Sequence, residues 1–129
     1  METEIIHSHK ACNGRLTAIG DAMYVIGGKW KLRIIIALRE GSTRFNELQR
    51  NVAGISARVL SNELKELEQN GFVTRTVHTG TPVIVEYELT EYSGTLNDVL
   101  EALSTWGAMH REKIIGKKVV AQEAFDTVG

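Results

Sequence analysis

A mainly α-helical chain with one small β-hairpin is what the hydrophobic patterning predicts, and three observations carry that expectation. Apolar residues recur at spacings of three and four in five separate stretches, the mark of helices buried along one face. From Phe72 the period falls to two: Val83, Val85, Tyr87 and Leu89 alternate with Ile84, Glu86, Glu88 and Thr90, as in a half-buried strand. Between the third and fourth helical stretches stands Ala53-Gly54-Ile55, where Gly54 supplies the positive φ of a sharp turn and Ile55 an apolar anchor beneath it. Helix, tight turn, helix and hairpin in that order predict a winged helix-turn-helix.

At 129 residues the chain has room for one domain and one compact core. Its 43% apolar and 24% charged residues are ordinary for a globular protein. The expected division is a flexible tail over residues 1–12, a domain over 13–115 and a second tail over 116–129. Net charge is -1, so bulk charge does not advertise a polyanionic partner. Its distribution does. Between Lys29 and Arg75 nine cations (Lys29, Lys31, Arg33, Arg39, Arg44, Arg50, Arg58, Lys65, Arg75) face five acids (Glu40, Glu47, Glu63, Glu66, Glu68). From Glu86 to Glu101 only acids occur. The basic excess sits in the helix-turn-helix, where phosphate would be met. A single cysteine makes no internal disulfide, and no run approaches the ~18–20 apolar residues of a membrane span, so a reducing, cytoplasmic setting is expected.

In chain order, His7, His9 and Cys12 form an H-x-H-x-x-C string without a fourth ligand, a poor metal site. Asn13 is placed to cap a first helix carrying Leu16, Ile19, Met23 and Ile26, which Gly27-Gly28 ends. Lys29 to Arg39 shows a wide apolar arc, that of a helix central to a small core, with Trp30 as a core or interface anchor. Ser42 to Arg44 is expected to add a short strand to the hairpin. Phe45, Leu48 and Val52 make the stripe of the third helix, and Leu60, Leu64 and Leu67 that of the fourth. Opposite the latter stripe lie Arg58, Asn62 and Lys65, flanked by Ala57 and Ser61, directly after Ser56, a good N-cap. A face of donors and small residues at a helix N-terminal end suits the reading of base edges. His78-Thr79-Gly80-Thr81-Pro82 is the turn of the wing. Leu96, Val99, Leu100, Leu103, Trp106 and His110 stripe a long last helix with more apolar surface than a small winged domain needs. His110 on that stripe reads as a packed interface residue.

The segments "IGGKWKLRIIIAL", "RFNEL", "GISARVLSNELKELEQNGFV", "TPVIVEYELT" and "ALSTWG" stand in the order and near-spacing of the HxlR-type winged helix-turn-helix transcriptional regulators of bacteria, in the MarR-like superfamily, which this chain closely resembles from about Ile19 to His110. The resemblance implies a homodimer on double-stranded DNA, with helix 56–69 in the major groove of a partly palindromic operator and the hairpin near residues 78–82 on the backbone. On that reading the exposed face of the helix gives base reading to Ala57, Arg58, Ser61, Asn62 and Lys65, with Arg58 first because its fork can bond guanine O6 and N7 together. Backbone contacts fall to Arg44, Arg50, Ser56, Arg75, His78 and Thr79. The first and last helices pair across the two-fold through Leu16, Ile19, Met23, Leu96, Val99, Leu103, Trp106 and His110.

Three positions depart from the family pattern. Thr17 occupies the place of the usual redox-sensing cysteine, so that role does not carry over to Cys12, five residues earlier. Cys12 remains a candidate redox thiol on physical grounds alone, beside the expected helix start with Lys10 and Arg15 near in sequence; the competing reading is an inert tail cysteine. Ile84 stands on the exposed face of the wing where relatives often carry a basic residue. Ser93 replaces a usual glycine at the strand-to-helix junction.

No Ser/His/Asp spacing, phosphate loop, paired carboxylates or metal cluster points to catalysis or to a cofactor, and Glu63, Glu66 and Glu68 read as the solvated flank of an amphipathic helix. The rival reading is a winged module for protein interaction with little specific DNA binding, which the near-neutral charge and Ile84 allow. The effector, small-molecule or redox, is left open.

Overall fold

The structure, a computed structural model, describes the backbone of residues 2–128 and the side chains of residues 12–116. Its elements are α1 (Glu2–Ile26), α2 (Lys31–Arg39), α3 (Phe45–Asn51), α4 (Ala57–Gln69), β1 (Val73–His78), β2 (Ile84–Leu89), a 3-10 turn (Tyr92–Leu96) and α5 (Asn97–Val128). They fall into two compact units, Met1–Ser93 and Gly94–Gly129. The first holds the winged helix-turn-helix that the patterning predicts.

Its core is built from the predicted stripes. Ile34 and Ile35 of α2, Leu48 of α3, and Leu60, Leu64 and Leu67 of α4 are at most 2% exposed, with Val52, Ile55, Phe72 and Val73 closing the ends. Each such side chain contributes roughly 1.5–3 kcal/mol of burial. Gly54, at φ +85, turns the chain between α3 and α4. It also lies against Trp30, whose Cη2 is 3.9 Å from where a Cβ would stand. Thus Trp30 anchors the helix-turn-helix turn as well as the start of α2.

β1 and β2 pair antiparallel in register Val73↔Leu89 to His78↔Ile84, around a turn containing a cis Thr81-Pro82 bond. The strand expected at Ser42 to Arg44 does not form. One bond remains of it: the Tyr87 N–H donates to the Thr43 carbonyl at 2.8 Å, which ties the outer edge of β2 to the start of α3. Ser42 instead turns inward, 7% exposed, and accepts from Asn51 Nδ2 at 2.7 Å. At the other end of the hairpin Ser93 is buried, its hydroxyl donating to the Thr90 carbonyl and its N–H to the same oxygen. A serine therefore closes this junction by local bonding.

The outer helices run further than the patterning suggested. α1 starts at Glu2, so Asn13 is inside it and not its cap; the Asn13 carbonyl accepts from Thr17 Oγ1 at 2.9 Å. Residues 1–12 and 116–129 are accordingly not bounded by helix ends. The two expected ends fail for different reasons: at the first helix a candidate cap, Asn13, lies inside the helix, and at the last a glycine, Gly116, does not end it. Gly14, Gly20, Gly107 and Gly116 all lie within helices, because a glycine costs a helix about 1 kcal/mol without stopping it. The stop that does hold is Gly27: a Cβ there would lie 2.1 Å from the Met23 carbonyl oxygen, to which the Gly27 N–H donates.

Candidate nucleic-acid interface

α4 presents the predicted division of faces. Ser56 Oγ accepts the Val59 N–H at 3.2 Å, capping the helix. Behind the cap Ala57, Arg58, Asn62 and Lys65 are exposed and Ser61 is half-buried, while the leucine stripe is sealed. No large apolar side chain interrupts the outer face. Arg58 stands one turn or less from the free N–H groups of the helix start, a place where cations and backbone donors together favour anionic ligands.

One cation of the nine leaves this surface. Lys31 is 8% exposed, and its Nζ lies 2.7 Å from Glu63 Oε2 and 2.5 Å from Glu66 Oε2. Burial by itself lowers the ammonium's pKa, but hydrogen bonds and charge from the two carboxylates outweigh it and raise it above the ordinary lysine value. Glu63 and Glu66 are therefore a clamp joining α4 to the start of α2, which corrects their reading as a merely solvated flank. Two acids of the fourth helix are thus partnered by a lysine of α2. The sequence did carry a signal for this. Lys31 stands three, four and seven residues before Ile34, Ile35 and Leu38, on the buried stripe of its own helix, where a lysine needs a partner.

The wing separates the cations expected on the backbone into two groups. Arg75 pairs across the sheet with Tyr87 and joins Ser61, Leu64, Lys65, Glu68 and Tyr87 in lining a cleft of about 400 Å³ between α4 and the hairpin. Lys65 and Arg75 thus share one recess. His78 and Arg44 belong to the other face, where both meet Glu86: His78 Nε2 is 3.7 Å from Glu86 Oε2 and Arg44 Nη2 is 3.9 Å from Glu86 Oε1. Ile84, expected outside, is half-buried opposite His78. Thr79 at the wing tip and Arg50 on α3 are exposed. Glu86 escaped the sequence reading, since its meeting with Arg44 depends on the Thr43–Tyr87 bond across the fold.

The sequence profile of the HxlR-like helix-turn-helix family matches residues 25–115. The chain belongs to that family. It is 42% identical over 92 residues to an uncharacterized HTH-type transcriptional regulator, YtcD of Bacillus subtilis, covering 71% of this chain and 73% of that one. A second regulator of the same description, from Halalkalibacterium halodurans, is 43% identical over 103 residues, 79% and 91% of the two chains. Among solved structures the reduced form of the redox regulator HypR superposes with a TM-score of 0.71 at 36% identity, covering 77% and 98%. Transcription regulation through a helix-turn-helix is the coarse function that follows.

In this HxlR-like chain the outer helices leave much apolar surface open. On α1, Ile26 is buried, but Leu16, Ile19 and Met23 are 58–64% exposed, and Tyr24 beside them is 86% exposed. On α5, Leu100 is buried, whereas Val99, Leu103 and Trp106 are 41–58% exposed; Leu96 is half-buried. His110 stacks on Trp106, ring centroids 4.9 Å apart. Tyr24, Met109, Ile114 and Ile115 extend these patches beyond the residues read from the sequence. Cys12 is exposed within α1, ten residues after its first helical residue, so it does not stand at a helix N-terminus as the sequence reading expected. The His7 and His9 side chains lie outside the described residues. Among the described residues no helix is long and apolar enough to cross a membrane.

Proposed function

We propose that the protein binds a partly palindromic DNA operator as a homodimer, each α4 entering a major groove at half-sites about one helical turn (~34 Å) apart. The observation that carries this reading is the outer face of α4: capped at Ser56, free of large apolar groups, and bearing Arg58, Asn62 and Lys65 exposed together. Arg58 reads guanine, its fork bonding O6 and N7 at once. Ala57, Ser61, Asn62 and Lys65 set the neighbouring positions. Arg44, Arg50, Ser56, Arg75, His78 and Thr79 contact the backbone and fix register. The open faces of α1 and α5 supply the dimer contact: exposed leucine, isoleucine and methionine on the one helix, and exposed valine, leucine and tryptophan on the other, mark association surfaces.

The test is selection of duplexes from a random-sequence pool by the full chain, followed by fluorescence anisotropy on the enriched site. Arg58→Ala is expected to cost roughly 1–3 kcal/mol of specific binding and to relax the preference at one base pair. An enriched site bound equally by the variant would move the reading face elsewhere. Failure to enrich any sequence would leave the winged fold as a protein-interaction module.

A further inference from the structure

The wing carries an acid where a DNA-binding surface gains nothing from one. Glu86 sits in mid-strand of β2, paired with Thr76, and its side chain is 31% exposed. Its two oxygens divide between two donors from different elements, Arg44 at the entry to α3 and His78 at the end of β1. Both donors are about half-exposed, at 44% and 52%. They converge on one carboxylate at 3.7–3.9 Å, slightly beyond direct hydrogen-bond range. Neither is locked, and each is free to exchange this partner for another anion.

We propose that Glu86 is an internal stand-in for a DNA phosphate, which holds Arg44 and His78 in position and competes with the backbone for them. This rests on the DNA-binding reading above. When a duplex docks, the two donors transfer from the carboxylate to a phosphate oxygen, and Glu86 is left facing the backbone as a like charge. The acid lowers the general affinity for DNA, because backbone contacts are sequence-independent, and it leaves base reading by α4 untouched. Its consequence is a uniform reduction: operator and random duplex are both bound more weakly by about the same factor, and their ratio is kept.

The experiment compares wild type, Glu86→Gln, Glu88→Gln and the double variant Arg44→Gln/Glu86→Gln on the selected duplex and on a scrambled duplex of the same length, across a salt series. Glu88 is the control: it is exposed on the same face, two residue pairs along, and forms no ion pair among the described residues. Glu86→Gln is expected to bind the scrambled duplex about three- to tenfold tighter at low salt, with a salt dependence steeper by roughly one released counterion. Glu88→Gln gains clearly less, and the double variant loses the gain. A gain in binding is not produced by misfolding. Equal or weaker binding by Glu86→Gln, or the same gain in Glu88→Gln, overturns the proposal while the wild type still prefers its selected site. If the wild type enriches no site at all, the DNA reading and this inference fall together.

Discussion

α4 and α5 carry the same kind of stripe and meet opposite fates. Leu60, Leu64 and Leu67 recur at four and three and are at most 2% exposed. Val99, Leu103 and Trp106, also spaced by four and three, are 41–58% exposed. A helical hydrophobic period says that a face is apolar; it does not say what covers it. In α4 the cover is the chain's own fold: β1 packs against the helix and Lys31 of α2 is bonded to it. In α5 the face is left for another surface, which the proposed dimer supplies.

The sharpest way to break this contrast is substitution along both stripes. Leu64→Ala removes a sealed side chain, and a cost of about 2–5 kcal/mol in urea unfolding is expected. Lys31→Met comes next, at about 1–3 kcal/mol, because two carboxylates lose a buried counter-charge; restoring stability with Glu63→Gln and Glu66→Gln would attribute the loss to charge and not to packing. The same clamp predicts a pH window. Its lysine pKa is raised from the ordinary 10.5, so the stabilisation is complete below that value and disappears as pH climbs through the higher folded value. Alkaline unfolding curves of wild type and Lys31→Met should therefore converge, and curves that stay parallel would count against the clamp. The smallest effect on the fold belongs to Leu103→Glu: helical content by circular dichroism is expected to hold, while the mass in analytical ultracentrifugation drops from two chains to one. A wild type already of single-chain mass would mean that the α5 stripe has no partner copy.

How far the site could be read in advance followed the range of the interactions involved. Ser56, Arg58, Asn62 and Lys65 were legible because their arrangement is set within one helix, by its period and its cap. Gly54 was legible for a similar reason, as a turn between two short helices. Lys31 was half-legible: its place on a buried stripe demanded a partner, but the partners lie on a helix some thirty residues away. Glu86 gave no signal, since its meeting with Arg44 needs β2 to be tied to Thr43.

The sequence by itself determined the helical and strand periods, the turn at Gly54, the polar face of α4 and the membership of a helix-turn-helix family, all of which are written in local spacing or in segments kept in order. Only the tertiary structure decided which stripes are sealed, that Lys31 spends its charge inside the fold, and that Arg75 and Lys65 share a cleft while Arg44 and His78 share a carboxylate. These are contacts between residues distant in the chain, and a period carries no information about which distant surface will meet it.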